Sequence, residues 1–283
     1  MNKLLEVIRL GKPRITWLLV FTAISGYIYA ADVIDPYALS LFTFAGVLTV
    51  FGSNALNSYI DMEIDRMMSR TSLRPLPKGT IQPPHAIALG VLWLLGGTYL
   101  ITYFFNIYAG IAALIGGLYY VFIYTIILKR KTIWNTVIGG FAGSMPVITG
   151  WLAAGKPLTI EPILLATIIF MWTPGHFWSL AYKVRDEYSI VGLPMLPSVK
   201  DEKYTKKMIV TFYTLTSISI AVSIPFIPGY AYTAAALASI ALLTYASYII
   251  WRRLDIETAW RSFKISSPTL ALLFIGLIIE RFI

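Results

Sequence analysis

The sequence predicts an all-α integral membrane protein with nine transmembrane helices and a cytoplasmic N-terminus. Three observations carry that expectation. First, 57% of the 283 residues are hydrophobic and 13% are charged, with a mean hydropathy of +0.71. A soluble domain of this length needs far more polar surface. Second, nine apolar runs of roughly 17–24 residues each have the length a helix needs to cross a bilayer core. Third, the basic residues fall almost entirely on one side of those runs.

The segment Met1–Arg14 reads as a short amphipathic helix, without the small-residue cleavage site of a secretory leader. The spans follow at 15–31, 37–59, 85–105, 107–128, 133–153, 160–182, 207–228, 230–250 and 266–283. Turn residues mark the seams: Asp35-Pro36 before the second run, Gly155-Lys156-Pro157 before the sixth, Pro228-Gly229 before the eighth. In the fifth run Gly139-Gly140 and Gly143 are small enough to admit a close neighbour. No repetitive, charged or Pro/Ser-rich stretch separates the runs, so 1–283 reads as a single polytopic domain.

An odd number of crossings places the termini on opposite sides. With the N-terminus inside, 21 of the 23 Lys and Arg residues lie in inside segments, and only Lys156 and Arg281 lie outside. That asymmetry is what the positive-inside rule requires. The net charge of +9 is therefore accounted for by topology, and nucleic acid is not an expected partner. The lipid bilayer is. The absence of Cys excludes disulfides, thiolate metal sites, Fe–S clusters and thioether heme attachment.

Two inside segments are too polar for connectors. After the second run, Asn54, Asn57, Asp61 and Asp65 are spaced three, four and four, which places them on one helical stripe. The stripe begins within an apolar span, where a carboxylate is costly unless it faces a cavity or a partner. Two carboxylates one turn apart repel, and a divalent cation between them relieves that repulsion. Oxygen donors without thiolates favour Mg²⁺, which shares its shell with water and substrate phosphate. Arg70 and Arg74 then offer planar donor forks to phosphate oxygens. The competing reading is a helix end solvated at the interface, its acids paired locally with Arg66 and Arg70.

The sixth run ends in a second ladder, His176, Lys183 and Glu187, at the same offsets as Asn54, Asp61 and Asp65. This is a faint internal repeat, which would set the two ladders across one central cavity. Pro174 is expected to kink the helix and free a carbonyl. His176 is either a hydrogen-bonded structural residue or a ligand; Asp186 and Glu187 add acid just beyond it. A third inside loop carries Lys129, Arg130 and Lys131, of which topology explains two, and one is expected to reach a phosphate or a carboxylate. Lys12 and Arg14 are weaker candidates of the same kind.

These residues resemble the UbiA superfamily of intramembrane prenyltransferases, and within it the branch that modifies heme. The resemblance runs through KPRITWLLVFTAISGY, NALNSYIDMEIDRMMSRTSLRPLPKG, YTIILKRKTIWNTVIGGFAGSMPVITGW and WTPGHFWSLAYKVRDEYSIVGLPMLPSV, nearly the whole chain. It implies nine helices around a central cavity open towards the cytoplasmic side of the plasma membrane. It implies transfer of a farnesyl group from its diphosphate to a vinyl group of heme B, giving heme O for terminal oxidases and their assembly factors. Asp61, Asp65 and Asn57 would be the catalytic, metal-holding residues, with Arg70, Arg74, Lys129 and Arg130 on the diphosphate. His176, Lys183, Asp186 and Glu187 would form the heme or acceptor side, although the wider superfamily has acidic residues where His176 and Lys183 stand. Tyr119, Tyr120, Tyr124, Trp172, Phe177 and Trp178 are candidates to line the isoprenyl pocket. Competing readings are a related enzyme acting on a quinone precursor or a lipid, and a transporter or heme-handling membrane protein.

Overall fold

The computed structural model describes residues 3–283, and every regular element among them is helical. The amphipathic segment forms α1 (Lys3–Leu10), the first two residues of that segment lying outside the described part. Then come α2 (Pro13–Ala30), α3 (Pro36–Ile60), α4 (Met62–Met67), α5 (Pro83–Phe104) and α6 (Ile107–Leu118), which continues as a π-helix over Tyr119–Leu128. The second half holds α7 (Asn135–Ala153), α8 (Ile160–Lys183), α9 (Arg185–Ile190), α10 (Leu196–Val199), α11 (Glu202–Ser223), α12 (Tyr230–Arg252) and α13 (Ile256–Glu280).

Eight of these helices are long and apolar enough to cross a membrane: α3, α5, α6 with its π extension, α7, α8, α11 with the following turn, α12 and α13. The residues of the first expected span fold as α2, 18 residues long, but its Pro13, Arg14 and many hydroxyl-bearing side chains leave it less apolar than those eight, and it is not among the candidate spans. The protein is a multi-pass membrane protein. Its last span departs from expectation, because the helix starts at Ile256 rather than at 266. Glu257, Arg261 and Lys264 lower the hydropathy of the first turns without interrupting the helix. The Asp255 carboxylate caps it, accepting from the Thr258 N–H at 2.8 Å. Asp35, Asn106 and Asp201 cap α3, α6 and α11 in the same way, each satisfying amides that a helix start leaves without partners.

Contacts divide the chain into two compact units, Met1–Leu128 with Met145–Pro157, and Lys129–Ser144 with Leu158–Ile283. In the first unit α3 and α5 pack with almost no side chain between them. A Cβ on Gly52 would meet the Leu94 amide and the Gly90 carbonyl, and one on Gly97 would lie 2.6 Å from the Ala45 carbonyl oxygen. Small residues allow this approach where apolar attraction between helices in lipid is weak. Tyr27, Phe42 and Ile101 fill the core at the far end of α3.

In the second unit the helices are tied by buried hydroxyls. The Tyr213 hydroxyl on α11 lies 3.0 Å from Ser179 Oγ on α8 and 3.2 Å from both Ser262 Oγ and Ser266 Oγ on α13. α8 continues through Pro174, and the Thr173 hydroxyl donates to the Ile169 carbonyl at 2.8 Å. Proline removes the amide that would have bonded the Phe170 carbonyl, and a Cβ on Gly140 of α7 would lie 3.4 Å from that oxygen. That is ordinary contact, and a Cβ on Gly143 would meet nothing within 4 Å, so neither glycine marks the close approach expected of this helix.

Candidate active site

The stripe of the first unit is nearly continuous across a helix boundary. α3 ends at Ile60 and Asp61 takes φ −89°, ψ 0° before α4 begins. The Asp61 amide still donates to the Asn57 carbonyl at 2.9 Å, and the Asp65 amide to the Asp61 carbonyl at 2.8 Å. The four polar residues therefore keep their helical spacing and are all buried, Asp61 at 1% and Asp65 at 4% exposure. Burial at this level is unlike a helix end solvated at the interface.

Each side chain has a distinct assignment. Asn54 Nδ2 donates to the Gly11 carbonyl at 2.9 Å and to Thr16 Oγ1 at 3.2 Å, so Asn54 anchors the turn between α1 and α2. Asn57 Nδ2 donates to Asp61 Oδ2 and to Thr125 Oγ1, both at 2.9 Å. Asn57 Oδ1 accepts from Lys12 Nζ. Asp65 Oδ2 pairs with Arg74 Nη1 at 2.7 Å. Arg66 pairs outward with Glu63 at 2.9 Å instead of with the two aspartates.

Arg74 reaches Asp65 because the turn carrying it is pinned. Thr71 Oγ1 donates to the Asp65 carbonyl at 3.0 Å, and Leu76 packs beside Leu10, Ala55 and Ala86. Arg70 is exposed at the start of that turn. Thr125 is fully buried in the π-helical stretch, and the sequence alone assigns it no role. Its hydroxyl holds Asn57, and nothing in a linear pattern links residues 68 positions apart. Tyr120 and Tyr124 stack at 5.6 Å on the same stretch.

The donor set fits a hard divalent cation: two buried carboxylates one turn apart and an amide oxygen. Among the described residues no group of three or more His, Asp or Glu is gathered for a metal. A cation held by these three residues would complete its shell with phosphate and water.

The second unit carries the other ladder, and it too is broken. α8 ends at Lys183 and Val184 interrupts before the six-residue α9, as Asp61 precedes the six-residue α4. The faint repeat in the sequence thus has a counterpart in local structure, a long helix followed by a short one. His176 Nδ1 lies 2.8 Å from Ser266 Oγ. Its ring stacks on Trp172 at 3.9 Å and on Phe263 at 4.4 Å. Phe263 in turn stacks on Trp260, over which the exposed Lys183 places its ammonium at 3.9 Å.

Asp186 is exposed with Arg185 Nε at 3.9 Å, and Glu187 is half-buried. Trp178 is fully buried between Trp134 and Phe212, a core position rather than a pocket wall. Lys129 is half-buried, while Arg130 and Lys131 are exposed. The loop they occupy is fastened by buried Asn135, whose Nδ2 donates to the Thr132 carbonyl at 2.7 Å and to the Pro194 carbonyl at 3.2 Å.

Comparison with known proteins adds a family match, two relatives and two solved structures. The model of the UbiA prenyltransferase family matches residues 18–275. A protoheme IX farnesyltransferase of Metallosphaera sedula is 39% identical over 281 residues, covering 99% of this chain and 98% of the relative. One of Roseiflexus sp. is also 39% identical over 98% of this chain, but the chain spans only 52% of that relative's length. Among solved structures, a digeranylgeranylglyceryl phosphate synthase superposes with a TM-score of 0.80 at 22% identity, over 99% of both chains. A UbiA homologue from Archaeoglobus fulgidus, bound to GPP and Mg²⁺, superposes with a TM-score of 0.72 at 16% identity, over 96% of this chain and 99% of that one.

Proposed function

The chain belongs to the UbiA prenyltransferase family, and from that membership we propose that it transfers a farnesyl group from farnesyl diphosphate to a vinyl group of heme B, yielding heme O. The observation that carries the proposal is the buried Asn57–Asp61–Asp65 stripe with Arg74 paired to Asp65. The acceptor rests on the relatives named protoheme IX farnesyltransferase, similar to this chain from end to end. We further read α2 as the ninth span, the N-terminus and active site as facing the cytoplasm, residues 1–283 as a single polytopic domain, and the membrane as the plasma membrane.

Asp61, Asp65 and Asn57 would hold Mg²⁺, which when bound neutralises the diphosphate leaving group. Arg74 uses one nitrogen on Asp65, and its planar fork has further donors for a phosphate oxygen. Arg70 and a basic residue of 129–131 meet the remaining charge. Tyr120 and Tyr124 offer π faces to the allylic cation left when the C–O bond breaks, and apolar walls keep water from it. The heme vinyl carbon then bonds to the farnesyl carbon, and water adds at the porphyrin-side carbon and releases a proton. His176, with Nδ1 engaged by Ser266, presents Nε2 to the acceptor, and Lys183 or an acid of 186–187 meets its polar rim.

The test is the mass of heme recovered from purified protein incubated with heme B, farnesyl diphosphate and Mg²⁺. A heme bearing one farnesyl and one hydroxyl group supports the proposal. Untouched heme, with the farnesyl group delivered instead to a phenolic or glycerol acceptor, overturns it.

A further inference from the structure

Lys12 stands in a conformation that a lysine rarely adopts. Its φ of 52° and ψ of 64° are left-handed, the one positive φ outside glycine among the described residues. Strain of this kind persists only where the surroundings enforce it. They do so here: the Gly11 carbonyl accepts from Thr16 Oγ1 at 2.8 Å and from Asn54 Nδ2 at 2.9 Å, and a Cβ on Gly11 would strike the Phe51 ring. The corner is locked against α3, and it sends the Lys12 side chain to Asn57 Oδ1.

Asn57 cannot turn its amide away. Both Nδ2 hydrogens are committed, one to Asp61 Oδ2 and one to Thr125 Oγ1. Its Oδ1 therefore points in one direction and serves one cation at a time. An ammonium and a divalent ion at the same oxygen would repel strongly in a buried site.

We propose that Lys12 is a placeholder cation: its ammonium holds Asn57 Oδ1 while the divalent ion is absent, and moves to the diphosphate when that ion arrives. This inference rests on the metal site proposed above and adds a positioning residue to it. The locked corner confines the movement to the flexible four-carbon stem, whose three donors suit a phosphate as well as an amide oxygen. The consequence is an order of binding. The ion alone must displace Lys12 at a cost, whereas ion and diphosphate together give Lys12 a new partner. Each then raises the affinity for the other by the same factor.

The test is Mn²⁺ binding to the purified full chain, read from the paramagnetic resonance of free Mn²⁺, with and without inorganic pyrophosphate. Lys12→Gly keeps the left-handed corner available and removes the cation; Lys12→Met keeps the stem without the charge. Without pyrophosphate, both should bind Mn²⁺ more tightly than the wild type, on the order of tenfold, the worth of one charge-assisted hydrogen bond that need not be broken. Both should show a smaller gain in Mn²⁺ affinity on adding pyrophosphate. Unchanged or weaker Mn²⁺ binding in both variants would overturn the placeholder role while leaving the site intact, provided Asp61→Asn weakens binding. Wild-type Mn²⁺ affinity in Asp61→Asn would overturn the metal site itself, and the placeholder with it.

Discussion

Arg74 joins two requirements in one side chain, since it neutralises a buried carboxylate and belongs to the proposed phosphate-binding set. Its pair with Asp65 is mostly shielded, the side chains being 28% and 6% exposed. Arg74→Ala should therefore destabilise the protein by about 2 kcal/mol by leaving a buried charge without its ion pair. It should also weaken isoprenyl diphosphate binding more than heme binding, measured by titration of each substrate. An effect confined to heme would reverse its assignment.

His176 makes the opposite demand on experiment, because its stacking between Trp172 and Phe263 and its contact with Ser266 are structural in form. His176→Ala should lower heme affinity in an absorption titration and leave farnesyl diphosphate binding little changed. Loss of thermal stability with normal heme binding would make the residue structural only. The shared helical face of Asn54, Asn57, Asp61 and Asp65 was legible from spacing, whereas the pairing of Arg74 with Asp65 was not. Lys12 on Asn57 and Thr125 on Asn57 lie 45 and 68 residues apart, beyond what a linear pattern carries.

The helices were readable because bilayer thickness dictates their length, and polar caps mark their starts. α13 shows where that reading stops: charged first turns hide a helix that Asp255 begins. Hydrogen bonds from the Thr258 N–H and hydroxyl, with Arg253 at 2.6 Å, hold the Asp255 carboxyl below the usual carboxylate range. A carboxylate with a depressed folded pKa contributes stability above its unfolded value, and that stability is lost as pH falls through the folded one. Asp255→Ala should thus cost about 1 kcal/mol at neutral pH. The difference from wild type, read from thermal melts, should shrink below the ordinary aspartate value of 3.8. A difference constant into acid would deny the cap its charge. The interruptions at Asp61 and Val184 and the π-helical stretch left no mark in hydropathy, because each changes backbone geometry without changing the polarity pattern.

At the scale of the molecule, the family match runs through both compact units, from residue 18 to 275. Each unit carries one polar ladder at the end of a long helix: buried carboxylates with a paired arginine in one, and a histidine stacked between aromatic rings in the other. The transporter reading would use neither a transferable isoprenyl group nor a released diphosphate. The most direct measurement is the mass of heme recovered after heme B, farnesyl diphosphate and Mg²⁺ are incubated with the wild type and, in parallel, with Asp61→Asn. Farnesyl transfer at the proposed site predicts heme carrying one farnesyl and one hydroxyl group with the wild type, and almost none with the variant. Unmodified heme with the wild type, or equal product from both proteins, would contradict it.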